Sequence, residues 1–160
     1  MNSTHIKNGF TIIELMVAMG LFVIVIGISS GTFIRSLRTQ RQVVALMAAN
    51  DNASFTLEQM AREIRTGTAF STSGSTLSFT NDNDEAVEYA LAGGGVERNG
   101  RRLTSSNVLV PYLSFALLGA EPGDGLSTRI TIRMGVSARG SMESFVTRLQ
   151  TVVSSRVLDG

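Results

Sequence analysis

Cysteine and tryptophan are absent from this 160-residue chain, and histidine and lysine occur once each, at His5 and Lys7. Past residue 9 the chain therefore holds no His, Lys, Cys or Trp. Nucleophilic and general acid–base catalysis lean on the first three. Imidazole and thiolate metal sites are excluded in the same stroke, and so is any disulfide. What remains is carboxylate, hydroxyl and guanidinium chemistry, so no enzyme is expected, and no catalytic residue, cofactor or metal. Charge of one sign is also lacking: the formal net charge is +1, and the 14 basic residues less Lys7 leave 13 against 13 acidic ones. Such a balance gives no strong signal for a nucleic-acid partner. The length suits one domain on a membrane helix.

What the chain does have is one long apolar run. From Leu15 to Ile34 no side chain is charged. Twenty helical residues at about 1.5 Å each span roughly the 30 Å of a bilayer core. Glu14 heads the run, four residues after Phe10. A carboxylate costs roughly 2.5–3.5 kcal/mol at a bilayer centre and less near an interface, so a compensating partner is expected.

The order of residues around Glu14 is specific. A polar leader ends in Lys7-Asn8-Gly9, and Phe10-Thr11-Ile12-Ile13-Glu14-Leu15 opens the apolar helix. This resembles the class III signal of type IV pilins and type II secretion pseudopilins. An ordinary signal anchor would contain this order only by coincidence, and Glu14 breaks the apolar core of a Sec-type signal. The resemblance implies that a prepilin peptidase cuts after Gly9, that the new terminus Phe10 is N-methylated, and that Glu14 is an assembly contact. It also implies other pilin or pseudopilin subunits and the inner membrane as partners. The peptidase reaches Gly9 from the cytoplasm. The positive-inside count disagrees, because Arg35, Arg38 and Arg41 on the far side outnumber Lys7; the motif is followed here over the count.

Four segments are expected: a leader over 1–9, a transmembrane helix half over 10–34, a soluble helix half over 35–67, and an antiparallel β-sheet domain over 68–160. Gly20, Gly27 and Gly31 either let helices approach closely or reflect the frequency of glycine in membrane helices. Arg35, Arg38 and Arg41 meet lipid headgroups or a neighbouring helix, or form a solvated face. Phe33, Leu37, Val44 and Met47 fall at helical spacing; Leu57, Met60, Ala61 and Ile64 form the face that docks on a sheet. Asn50-Asp51-Asn52 suggests a bend. Arg62, Glu63 and Arg65 are expected to face outward, with Gly67 as C-cap.

The strand signals follow. Leu77 and Phe79 alternate, then Val87, Tyr89 and Leu91. Between them Asn81-Asp82-Asn83-Asp84-Glu85 reads either as turn chemistry or as a calcium loop, without the EF-hand glycine and spacing. Gly93-Gly94-Gly95 reads as a turn and Asn99-Gly100 as a hairpin. Val108–Leu118 reads as one strand, with Pro111 favouring an edge or bulge, and 119–125 as a loop. Ile130 to Val136 and Phe145 to Val153 read as the last two strands, joined near 138–140.

The fold class expected is α+β, with the helix packed on the sheet because neither apolar face is stable alone. Within the family, Val87–Leu91, Val96–Arg98, Leu103-Thr104 and Leu149–Val153 resemble minor pilins and J-type pseudopilins. A structural subunit is thus expected, with Gly9, Phe10 and Glu14 as its site residues. It would be a single-pass inner-membrane protein before assembly and part of a pilus or pseudopilus filament afterwards. The alternative is a single-pass, membrane-anchored extracytoplasmic binding module.

Overall fold

The computed structural model describes residues 9–119, 127–140 and 145–156. Among the described residues one helix, α1 (Ile12–Thr66), is followed by nine strands: β1 (Thr68–Ser73), β2 (Thr76–Thr80), β3 (Ala86–Ala92), β4 (Gly95–Arg98), β5 (Arg101–Arg102), β6 (Val108–Leu109), β7 (Leu113–Leu118), β8 (Arg129–Ala138) and β9 (Thr147–Ser154). The chain forms two compact units, one up to Gln42 and one from Val43 onward.

In the first unit every described side chain is exposed. In the second, α1 buries Ala49, Ala53, Thr56, Met60 and Ile64. That three- and four-residue spacing is a single stripe on one helix face. Leu57 and Ala61 pack beside it, half-buried. The expected docking face is therefore present, extended backward by two alanines that let the sheet come close. Phe33, Leu37, Val44 and Met47 are exposed. The helix runs unbroken through Asn50-Asp51-Asn52, so the expected bend is absent. Asn52 instead has a tertiary role: its side-chain oxygen accepts the Ser105 amide at 3.0 Å.

The strands divide into two antiparallel sheets rather than one. The first is a meander in the order β1-β2-β3-β4-β5; in the second, β8 is the hub that pairs with β6, β7 and β9. Inward residues of both sheets join the helix stripe in one core, with Leu77, Tyr89, Val96, Ile130, Ile132, Met134 and Val136 fully buried. Phe70, Phe79 and Tyr89 stack in series, with centroids 5.4 and 6.1 Å apart.

Two-residue turns set the register of the meander. Gly93 and Gly94 (φ 55° and 69°) join β3 to β4, and Asn99 and Gly100 (φ 49° and 74°) join β4 to β5. Positive φ at both central residues matches the right-handed twist of the strands. The Arg102 guanidinium then fixes this region. It donates to the carbonyls of Gly93, Gly94, Thr104 and Val108 at 2.9–3.4 Å.

Three sequence expectations are corrected. Val108–Leu118 is two strands, because the chain turns at Val110-Pro111-Tyr112 and the Val110 amide bonds to the Gly94 carbonyl instead of to β8. Val108 faces Ala138 and Leu113 faces Met134, so the register against β8 slips by one residue there. Phe145 is exposed and precedes β9, which starts at Thr147. Gly67 ends the helix without a left-handed φ; a Cβ there would lie 2.6 Å from the Phe79 ring, so close packing, not capping, requires glycine. The loop expected at 119–125 lies, after Gly119, outside the described residues, as does part of the β8–β9 connection.

Candidate assembly segment and the polar contacts of the sheet unit

The N-terminal segment begins with a helix cap. Thr11 precedes the first helical residue, and its hydroxyl accepts the Glu14 amide at 3.2 Å while its carbonyl accepts the Leu15 amide at 3.1 Å. A threonine oxygen satisfying the third helical N–H is N-capping, and Thr-x-x-Glu ahead of an apolar run is the capping-box pattern. The helix expected from residue 10 therefore starts at Ile12. Phe10 lies outside it and is 85% exposed. The Thr11–Glu14 spacing is the sequence signal of this cap, and helical periodicity alone does not find it.

Beyond the cap, α1 is long and apolar enough to cross a membrane, and its most apolar window has no residue buried within the chain. Glu14 is the one carboxylate on this stretch up to Gln42 among the described residues, and Arg35, Arg38 and Arg41 are exposed where it ends. Gly20, Gly27 and Gly31 have open space where a Cβ would stand. The leader residues 1–8, including His5 and Lys7, lie outside the described residues.

Glu63 corrects a further expectation. It turns toward the sheet, where its carboxylate accepts the Tyr89 hydroxyl at 2.9 Å and the Arg98 Nε–H at 3.0 Å. Burial, and then the hydrogen bond to Glu63, push the Tyr89 hydroxyl well above its ordinary range. The hydrogen bond to Glu63 raises Arg98 as well. Helical periodicity alone does not find this contact. The available signal was chemical: a tyrosine on the inward face of a strand brings a hydroxyl that needs a partner. Arg62 and Arg65 are exposed as expected.

The Asn81–Glu85 cluster is a turn organised by the Asn81 side chain. The Asn81 side-chain oxygen accepts the amides of Asn83 and Glu85, and its nitrogen donates to the Glu85 carboxylate. No grouping of three metal-ligating side chains occurs among the described residues.

An apolar, membrane-capable helix heading a small antiparallel α+β unit defines a pilin-like architecture. Residues 5–30 match the prokaryotic N-terminal methylation motif, and the chain carries a type IV pilin-like prepilin signal. No curated protein and no solved structure matches the chain. Motif and fold indicate a structural subunit rather than an enzyme.

Proposed function

We propose that this protein is a minor structural subunit of a type IV pilus or type II secretion pseudopilus. In this reading a prepilin peptidase cuts after Gly9, Phe10 is N-methylated, and the chain waits in the inner membrane as a single-pass protein until it joins a filament. One observation carries the reading. Residues 12–30 of the matched motif lie on a helix half that is exposed throughout, apolar from Leu15 to Ile34, and headed by a single carboxylate. Such a surface is stable in lipid or against other helices like it.

Glu14 is the assembly contact in this proposal. In lipid each separate subunit holds an expensive charge. In a filament the carboxylate meets the Phe10 amine of the adjacent subunit in apolar surroundings, where Coulomb attraction exceeds that in water. Removing one partner of a buried pair typically costs ~3–5 kcal/mol. Glu14→Ala should therefore still be cut after Gly9 but incorporate poorly. The measurement is the ratio of this subunit in sheared filaments to that in membranes, with mass spectrometry of its N-terminus. A mature terminus other than Phe10 refutes the processing. An unchanged ratio refutes the role of Glu14. Uncut protein that stays in the membrane favours the anchored binding module.

A further inference from the structure

Net charge conceals how charge is distributed along this chain. Residues 81–97 carry five carboxylates and no arginine, whereas residues 99–160 carry seven arginines and four carboxylates, none of the four among the described residues. Three of those arginines share the outward face of the second sheet. Arg133 stands in cross-strand register with Ser114 on β7 and Gln150 on β9, and Arg148 pairs with Gly135 in the next outward row. Arg129 lies four residues from Arg133 on the same strand face, about 13 Å away. None of the three has an ion-pair partner among the described residues.

Around this face the backbone makes room for an aromatic ring. A Cβ at Gly135 would lie 2.4 Å from the Tyr112 ring, so the ring occupies the space that a side chain there would fill. The Gly135 amide fixes Tyr112 by donating to its carbonyl at 3.0 Å. Tyr112 remains 38% exposed, and its hydroxyl has no hydrogen-bond partner among the described residues. A shallow cleft of ≈ 470 Å³ opens beside it, lined by Tyr112, Ser114, Arg133, Arg148, Leu149 and Gln150. Gln150 accepts the Arg133 Nε–H at 3.1 Å, which orients that guanidinium within the cleft wall.

We propose that this face binds a single-stranded nucleic acid. Arginines without an ion-pair partner among the described residues attract a polyanion along the strand direction. A partly exposed ring held on a sheet face gives a base a stacking platform, and with the arginines it suits single strands with little regard to sequence. The proposal is independent of the filament reading.

The test uses the full chain in a neutral detergent with a labelled oligothymidylate of about 12 nucleotides, a length within the site sizes of other sheet-based binders. Fluorescence anisotropy is followed between about 50 and 200 mM salt. Three arginine–phosphate contacts give a slope of log affinity against log salt of about −2. Arg133→Gln combined with Arg148→Gln should bring it to about −0.7. These exposed substitutions should leave the circular dichroism spectrum unchanged. Tyr112→Leu fills the space over Gly135 without a π-face and should weaken binding about tenfold at the same slope. No binding at the lowest salt, or binding indifferent to the double substitution, overturns the assignment. Polygalacturonate competing equally at matched charge overturns it in favour of an acidic polysaccharide. Salt-sensitive self-association lost in the double variant overturns it in favour of a second copy of this chain.

Discussion

Gly67 and Glu63 lie four residues apart at the end of α1 and are constrained in opposite ways. Gly67 is kept small by the Phe79 ring behind it. Gly67→Ala should destabilise the sheet unit by about 1–3 kcal/mol through overpacking, read as a lower midpoint in urea. Glu63 is held inward by two donors. Tyr89 makes this contact sensitive to pH in a definite direction. Its folded pKa is raised, so the folded state holds the proton more tightly than the unfolded one. The resulting stability is complete below the ordinary tyrosine pKa of about 10 and is lost as pH rises beyond it. Thermal melts should therefore be level toward pH 9 and fall above about pH 10, and Tyr89→Phe should flatten that alkaline fall. An equal fall in the variant would place its origin elsewhere. At this scale the sequence was least legible. Nothing in the spacing of Glu63 distinguishes it from Arg62 and Arg65, because the partner that turns it inward, Arg98, is 35 residues away in the chain.

The elements were easier to read. Helical periodicity located the docking face at Met60 and Ile64, and alternation located β2, β3, β8 and the inward residues of β9. Local chemistry suffices there, since the period of the pattern is the geometry of the element. It fails where a distant group intervenes. The break between β6 and β7 follows from the Val110 amide leaving for Gly94, which no local window reveals. The β3–β4 turn and the segment after β5 likewise depend on one guanidinium. A lysine at 102 has neither the fork nor the five donors of arginine. Arg102→Lys should therefore cost about 2 kcal/mol by loss of charged hydrogen bonds to carbonyls. Amide exchange should rise at Val96, Leu103 and Val110 before it rises in β8. Uniform exchange across both sheets would show that Arg102 does not act locally.

As a whole molecule the chain divides its chemistry between two units: one with every described side chain exposed, the other closed around a core shared by the helix and both sheets. Deleting residues 1–34 should leave a domain that melts cooperatively, because the buried residues named above all lie after Gln42. Absence of a cooperative transition would refute this. EDTA should leave that melt in place, and a clear shift would identify the Asn81–Glu85 turn as a calcium site. The α+β class was legible in full at this scale. The split into two sheets was not, since alternation gives strands but not their neighbours.

One closure in the second unit bears on when that unit can form. The Arg156 amide bonds to the Arg65 carbonyl, and the Ser155 hydroxyl to the Gly67 carbonyl, 88 residues earlier in the chain. A ribosome makes the acceptors first and the donors last. A nascent chain stalled before β9 already holds its apolar leading helix, yet the carbonyls at the far end of α1 and one flank of β8 still wait for partners. Pairings of such wide separation are slow to close. The unit is thus tethered early and finished late, and the interval between the two is when Ile130, Ile132 and Met134 are open to proteases.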